Sequence, residues 1–353
     1  MLRMTTSYET YLKVTIDTIK KWQLGRQRFT IQTSGSTGKP KDIRLEREML
    51  TRSSQATAEY FGIPEKATVF SGLPPESIGG FMMIIRSLVN NWNLYAAKPS
   101  GNPLEEVETT LPFSFGAMLP LQLDRVLRKN SPHERFLINQ MRALILGGAP
   151  VHPELAQKIQ ELRTPVYHTY GMTETMSHVA ARLINGPEGE ETAFTPIPGN
   201  NLTARKDGRL EITILHGKAT QIITNDVVEF NHDGTFRFLG RWDNIINTGG
   251  IKVSPETVEK ALKKAWQEAI DDNPEDPPAF LVFGREDAEL GQRIEAVTDT
   301  VLDEDKIALL KQHGQNHLSK YELPKTFHSV EKLIYNENGK LNRKATLDLL
   351  HAK

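Results

Sequence analysis

"RALILGGAPVHPELAQKIQELRTPVYHTYG", residues 142–171, decides the fold class. "RALILGG" (142–148) and "PVYHTYG" (165–171) are short apolar runs that end in glycine, as buried strands do. Between them, "HPELAQKIQEL" (152–162) sets Leu155, Ile159 and Leu162 on one helical face. Pro153 suits a first helical turn, where its missing N–H costs nothing. Strand, helix and strand in this order pair in parallel, which predicts an α/β layer architecture. "ATVFSGL" (67–73) reads as a further strand of the same kind.

The texture changes past Pro187. "NGPEGEETAFTPIPGNN" (185–201) reads as a loop from its glycines and prolines. "GRLEITILHG" (208–217) and "GTFRFLGRWD" (234–243) alternate apolar and polar residues, which predicts a small antiparallel β subdomain with half-exposed strands. From Asp243 a smaller α+β unit is expected. "SPETVEKALKKAWQEAI" (254–270) opens with a serine N-cap, a proline at the first helical position and a glutamate in the first turn. Val258, Ala261, Leu262 and Ala265 form its buried stripe, and "PAFLVFG" (278–284) reads as a strand beside it. No Pro/Ser-rich linker marks a boundary, and the expected domains, residues 1–242 and 243–353, rest in part on the family resemblance that the motifs carry.

The 353 residues suffice for two domains. A formal net charge of -1 argues against nucleic-acid binding by bulk electrostatics. The absence of cysteine excludes disulfides, zinc–thiolate sites and thiol nucleophiles. The opening residues show no apolar leader, and "IGGFMMIIRSLV" (78–89) is too short to span a bilayer and carries Arg86. A cytoplasmic protein without membrane insertion is expected.

"TSGSTGKPK" (33–41) packs hydroxyls, glycines and lysines together. It is not a Walker A loop: only two residues separate Gly35 from Gly38, and Pro40 prevents a helix from starting at Lys39. Either it aims N–H and O–H donors at phosphate oxygens or it is a solvated hairpin turn. "LGGAP" (146–150), "YGMTET" (170–175), "TNDVVEF" (224–230), "GRWDNIINTGGIKVSP" (240–255) and "NENGKLNRK" (336–344) follow it along the chain.

This set, in this order, resembles the adenylate-forming superfamily of acyl- and aryl-CoA synthetases across residues 29–350. "YGMTETMSHVAARL" (170–183) is similar to the tyrosine motif of the o-succinylbenzoate–CoA ligase branch. The resemblance implies a large α/β N-terminal domain with parallel sheets and a small antiparallel β subdomain, followed by a mobile α+β C-terminal domain. The N-terminal part is short, because only one amphipathic helix ("YETYLKVTIDTIKKW", 8–22) precedes the first motif. It also implies a ligase that uses ATP, with AMP as product, Mg2+, and coenzyme A as co-substrate. Such an enzyme activates o-succinylbenzoate as an acyl-adenylate and passes it to the thiol, in menaquinone biosynthesis. A CoA ligase for another aryl or acyl acid, or a non-catalytic adenylate-binding module, stays open, as does a homo-oligomer.

Residue by residue, the resemblance implies that Thr33, Ser34, Ser36, Thr37, Gly38 and Lys41 line the β- and γ-phosphates. Gly147, Gly148 and Ala149 would wall the adenine, with Tyr170 and the adjacent Gly171 opposite, unless Tyr170 is a core residue. Thr173 would donate to the α-phosphate, and Glu174 would hold Mg2+ or else be a solvated carboxylate. Asp226 would take the ribose hydroxyls, and Arg241 would contact ribose or phosphate or sit at a strand edge. Asp243 falls at the hinge, Gly249 and Gly250 on the CoA-channel loop, and Lys340 at the lysine that bridges substrate carboxylate and α-phosphate. In the acyl segment "PESIGGFMMIIRSL" (75–88), Ser77, Gly79, Gly80 and Arg86 are the candidates. Ser77 stands where many relatives have histidine. Arg86 either meets a second substrate carboxylate or snorkels at the helix edge. His168 and His178 read as packing or hydrogen-bonding histidines in preference to general bases.

Overall fold

The computed structural model describes residues 6–32, 41–109, 112–187, 192–215, 220–269, 277–335 and 341–351. Its contacts divide the chain into two units, one of residues 1–203, 212–222 and 231–236, the other of residues 204–211, 223–230 and 237–353.

The first unit begins with α1 (Thr6–Gln23), β1 (Arg28–Gln32), β2 (Asp42–Glu46) and α2 (Arg47–Tyr60). Then come β3 (Thr68–Ser71), α3 (Ile78–Val89), β4 (Asn93–Ala96), β5 (Phe115–Met118), α4 (Pro120–Lys129) and α5 (Pro132–Asn139). β6 (Ala143–Leu146), α6 (Pro153–Ile159), β7 (Val166–Met172), β8 (Ser177–Leu183) and β9 (Thr195–Pro196) complete it. Seven strands form one sheet in the order β4-β3-β5-β6-β7-β8-β9. The pairs from β4 to β7 are parallel, and β8 and β9 add an antiparallel edge.

The sheet is buried on both faces, which explains the unbroken apolar runs. Leu144 and Leu146 point into a core with Leu123 and Val126 of α4, Leu137 of α5 and Leu155 and Ile159 of α6. The alternating Ala143 and Ile145 point the other way, with Ala56 of α2, Phe61 and Met83 of α3. Burying each such side chain contributes about 1.5–3 kcal/mol for the large ones.

The predicted strand–helix–strand of residues 142–171 is β6, α6 and β7, with Leu144 opposite Val166 and Leu146 opposite His168. The stretch 185–201 is not all loop. Phe194 exchanges two backbone hydrogen bonds with Phe236, Phe194 N to Phe236 O at 2.7 Å and Phe236 N to Phe194 O at 3.0 Å, and β9 follows at once. Its prolines and glycines bound this short pairing and do not prevent it.

β10 (Asn200–Ala204), β11 (Arg209–Ile214), β12 (Thr220–Phe230) and β13 (Phe236–Arg241) form a four-stranded sheet in that order, its residues shared out between the two units. The second unit continues with β14 (Ile246–Thr248), β15 (Ile251–Val253), α7 (Pro255–Ala269), β16 (Phe280–Asp287) and β17 (Gly291–Thr298). α8 (Glu304–Gly314), β18 (Thr326–Ser329) and α9 (Arg343–His351) follow. Its sheet runs β15-β14-β17-β16, with β18 parallel to β17. Val258, Ala261, Leu262 and Ala265 of α7 are buried against Phe280, Val282, Ile294 and Ala296, so the expected stripe is the core of this unit.

Candidate active site

β5, β6 and β7 are adjacent and parallel, so the residues after their carboxyl ends gather on one side of the sheet, where such sheets bind ligands. Gly147 and Gly148 leave β6 there. Gly148 has φ +82°, a conformation that glycine adopts without strain. A Cβ on Gly147 would come within 2.9 Å of Thr169 Oγ1. The segment is stitched to β7: Thr169 Oγ1 donates to Leu146 O at 3.0 Å and His168 Nε2 donates to Ala149 O at 3.2 Å.

β7 and β8 are joined by a 3-10 turn at Thr173–Thr175, followed by Met176 and Ser177 with φ of +54° and +85°. Non-glycine residues rarely enter that region, and strain of this kind persists where the surroundings enforce it. Thr175 is consumed by the turn: its hydroxyl accepts from Met172 N at 3.0 Å and lies 2.7 Å from Ser177 O. A Cβ on Gly171 would run into the Ser177 carbonyl. Thr173 and Glu174 have side chains with no hydrogen-bond or ion-pair partner among the described residues, and both are half-buried. The Tyr170 ring meets Phe194 and Phe236 edge-on, at centroid distances of 5.9 and 5.7 Å. Sequence reading missed both phenylalanines as neighbours of Tyr170: Phe194 precedes the four-stranded sheet and Phe236 opens β13 within it, and nothing local to either marks the contact.

Thr33, Ser34, Ser36, Thr37 and Gly38 lie outside the described residues. The strands on either side of them are antiparallel, with Gln32 paired to Asp42, so the segment between connects two neighbouring strand ends. Lys41, its last residue, is exposed.

In the second unit Arg241 bridges two carboxylates. Its Nη1 lies 3.2 Å from Asp226 Oδ1, and its Nε donates to Asp243 Oδ1 at 3.1 Å. The guanidinium holds the Asp243 carboxyl below its ordinary range against the opposing effect of burial. Gly249 and Gly250, at φ +57° and +81°, form the two-residue turn between β14 and β15, a hairpin type that requires positive φ at both positions. Lys340 lies outside the described residues; the segment carrying it is closed at its base by an antiparallel bridge between Tyr335 and Leu341.

The acyl-segment residues have structural tasks. Ser77 caps α3, accepting from Gly80 N at 3.2 Å and donating to Pro74 O at 2.6 Å. Gly79 faces Leu73, and a Cβ on Gly80 would collide with the Pro74 carbonyl. Arg86 does not snorkel. It is 0% exposed, enclosed by α2, α3 and β8, because the apolar face of α3 packs inward on both sides of it. Its Nε donates to Thr57 Oγ1 at 3.2 Å and its Nη2 lies 3.4 Å from His178 Nδ1. Thr57 gives its own proton to Ser53 O, so His178 donates from Nε2 to Thr57 at 2.9 Å and offers Nδ1 to Arg86. No carboxylate pairs with Arg86 among the described residues, and burial pulls its guanidinium down to about 9.

Burial, with Arg86 adding to it, likewise lowers His178 well below its ordinary value. His168 is brought down to about 3 by burial first and then by Arg182. Both are neutral hydrogen-bonding residues at physiological pH and too weakly basic for proton abstraction.

Among the described residues no group of three His, Cys, Asp or Glu side chains comes together to hold a metal. Mg2+ bound mainly by phosphate oxygens and water needs only one or two protein carboxylates, and the unpartnered Glu174 fits that requirement.

Residues 22–209 match the AMP-binding enzyme family. The chain belongs to that family. The solved acyl-CoA synthetase (AMP-forming)/AMP-acid ligase II-like protein from Dyadobacter fermentans is 31% identical with a TM-score of 0.63, and the match covers 99% of this chain and 96% of that one. The 2-succinylbenzoate–CoA ligase of Lactococcus lactis is 25% identical over 330 residues, 89% of this chain and 69% of that protein. The o-succinylbenzoate coenzyme A synthetase of Bacillus subtilis, solved with ATP and magnesium ion, shares the fold with a TM-score of 0.72 at 22% identity, over 90% of this chain and 69% of that one. This AMP-binding enzyme spans about two thirds of the length of the curated relatives it matches, 69% and 66% for the first two. Its fold is that of adenylate-forming enzymes, and no helix among the described residues is long and apolar enough to cross a membrane.

Proposed function

We propose that the protein is an ATP-dependent acid–thiol ligase that converts o-succinylbenzoate to its CoA thioester, a step of menaquinone biosynthesis. The observation that carries the reading is the turn after β7. It holds Thr173 and Glu174, whose side chains have no partner among the described residues, at the carboxyl edge of a parallel sheet, one residue type for a phosphate oxygen and one for a cation. Family membership and the similarity to 2-succinylbenzoate–CoA ligases support it.

In the first half-reaction a carboxylate oxygen attacks the α-phosphorus of ATP, the bond to the β-phosphate breaks, and pyrophosphate leaves. Two anions must meet, so the protein contributes charge neutralisation and positioning in place of covalent help. Thr173 donates to the α-phosphate, while the 33–38 segment and Lys41 cradle the outer phosphates. Glu174 holds Mg2+, which when bound neutralises phosphate charge. Gly147 to Ala149 and Tyr170 with Gly171 enclose the adenine, and Asp226 takes the ribose hydroxyls beside Arg241. Lys340 bridges the acid and the α-phosphate. In the second half-reaction the CoA thiol attacks the acyl carbon, AMP leaves, and the thiol proton passes to water. Residues 243–353 pivot at Asp243 between the two, bringing Gly249 and Gly250 to the CoA channel.

A second reading, a ligase for an acid with a single carboxylate, is favoured by the enclosure of Arg86, whose polar atoms face Thr57 and His178. Pyrophosphate release measured with o-succinylbenzoate, benzoate and fatty acids, each with and without CoA, separates the two. Release that is largest with o-succinylbenzoate supports the first reading, and release with none of the acids abandons the ligase.

A further inference from the structure

Glu295 of β17 is 0% exposed, and Arg285, Arg293 and His328 all turn to its carboxylate. Arg293 Nε donates to Oε1 at 2.7 Å, and His328 Nε2 donates to Oε2 at 2.7 Å. Arg285 Nε lies 3.0 Å from Oε2. The strand register explains the gathering. Glu295 and Arg293 share one face of β17, and β16 sets Phe283 opposite Glu295 and Arg285 opposite Arg293. On the other side, the parallel β18 sets Thr326 opposite Glu295, with His328 next on the same face. The Phe283 ring walls the cluster, 6.2 Å from the His328 ring and 6.0 Å from the Arg285 guanidinium. Burial works to raise the Glu295 carboxyl, but the hydrogen bonds from His328 and Arg293 and the charge of Arg285 bring it below its ordinary range. It stays ionised.

One arginine would suffice to neutralise this carboxylate, and the sheet supplies two. Arg285 and Arg293 stand directly opposite each other on antiparallel strands, a placement of like charges that by itself costs stability. Both meet Glu295 through Nε, so the terminal Nη nitrogens of both have no partner among the described residues. The two side chains are 39% and 40% exposed, although the carboxylate they share is not exposed at all. Asp287 also lies within the field of Arg293, but its Oδ1 is already taken by the N–H groups of Glu289 and Leu290. A buried carboxylate that grips two guanidiniums by their inner edges makes a rigid cationic pair. Planar forks of this kind match the oxygens of a phosphate group.

We propose that Arg285 and Arg293, held by Glu295, form a phosphate-binding site in the second unit. The anion lies across the two forks, and each guanidinium gives N–H groups from its Nη atoms to separate phosphate oxygens. Repulsion between the two cations then becomes attraction for the ligand. The site stands without the ligase reading; only one source of its phosphate rests on that reading. That source is the 3′-phosphate of coenzyme A, and the other is free inorganic phosphate.

Calorimetry on the full chain, at constant ionic strength in chloride, tests the site. The probes are inorganic phosphate, coenzyme A and 3′-dephospho-coenzyme A. Inorganic phosphate is expected to bind the wild type. Arg285→Lys and Arg293→Lys should each weaken it about tenfold, because an ammonium turned to Glu295 has no second prong for the ligand. Both variants keep a cation beside the buried carboxylate, which protects the fold. A double variant, Arg293→Gln with Glu295→Gln, removes the buried charge together with one of its partners and should weaken phosphate at least as much. All three variants keep the net charge of the cluster, so the loss reads the forks and not the surrounding field. Wild-type protein that does not bind phosphate, or variants that bind it as the wild type does, would overturn the proposal. If coenzyme A is the source, the wild type binds it about tenfold more tightly than the dephospho form, and the variants bind the two alike. Equal binding of the two by the wild type, with phosphate still lost in the variants, assigns the site to free phosphate. Wild-type protein that binds no coenzyme A counts against the ligase reading, and the phosphate titrations still decide the site.

Discussion

Arg241 Nη1 lies 3.2 Å from Asp226 Oδ1, joining the end of β13 to the middle of β12. The same guanidinium grips Asp243, and its two carboxylates raise its own affinity for the proton against burial. If Asp226 takes the ribose hydroxyls, Arg241 sets the direction in which that carboxylate points. Arg241→Ala is therefore expected to raise KM for ATP at least about tenfold, the loss of one charged hydrogen bond. Arg241→Lys should recover only part, since one ammonium cannot hold both the Asp226 carboxylate on β12 and the Asp243 carboxylate in the turn after β13. A KM for ATP that stays at the wild-type value in both would remove Arg241 from the nucleotide site.

Arg86 allows a sharper test of substrate. A buried guanidinium without a carboxylate is a stability cost, and exchange of buried charge for an apolar side chain of similar length is often neutral or stabilising by about 1–4 kcal/mol. Arg86→Met is expected to keep or raise the denaturant midpoint. If a second carboxylate approaches this side chain, kcat/KM for o-succinylbenzoate falls about 100-fold relative to benzoate, the worth of a charged hydrogen bond inside protein. An unchanged ratio assigns Arg86 to the Thr57–His178 contact alone and favours an acid with one carboxylate.

The architecture was readable where burial is dictated by local pattern. β6, α6 and β7 announce themselves because a strand buried on two faces must be apolar throughout and its crossover helix on one side only. The α7 stripe is of the same kind. Arg86 shows the limit: helical spacing says which neighbours share its face, but whether that face is closed depends on Thr57 and His178, which come from distant segments. Phe194 is a second case. It sits in a stretch rich in proline and glycine, and only its pairing with Phe236 makes it a wall of the Tyr170 ring. The motif strings point to chemistry; what orients their side chains comes from residues outside the motifs.

His168 and His178 predict how stability depends on pH. An unfolded histidine takes a proton near pH 6.5, whereas folded His168 resists until about 3 and His178 is lowered in the same sense. Between those values the unfolded chain binds more protons, so stability present above pH 6.5 is lost as pH falls. The cations beside them act in the same sense as burial, Arg182 at His168 and Arg86 at His178; the hydrogen bond from His168 to Ala149 O opposes it without reversing the direction, and Thr57 at His178 carries no charge. Each pH unit of the gap corresponds to about 1.4 kcal/mol. Urea midpoints taken from pH 7 to pH 4 should fall steeply, and His168→Gln, which keeps a donor for Ala149 O, should flatten the slope. Parallel slopes in wild type and variant would mean that carboxylates carry the acid sensitivity.

Gly171 poses the question of why a nucleotide motif contains a glycine. Close approach to adenine is one answer, but the fold supplies another. β7 and β8 shift register between Tyr170 and Gly171, and a side chain there would meet the Ser177 carbonyl and come within 2.6 Å of the His178 Cα. Both obstacles are backbone, so neither can swing aside as a flexible side chain would. Accommodating alanine means opening the hairpin that carries Thr173 and Glu174, a change of the overpacking kind that costs about 1–3 kcal/mol. Gly171→Ala is expected to lower stability by that amount and, if Thr173 and Glu174 act on the α-phosphate and its cation as proposed, to reduce kcat for adenylation more than it raises KM for ATP. The opposite pattern, wild-type stability with only KM for ATP raised, would make Gly171 a nucleotide contact and nothing more.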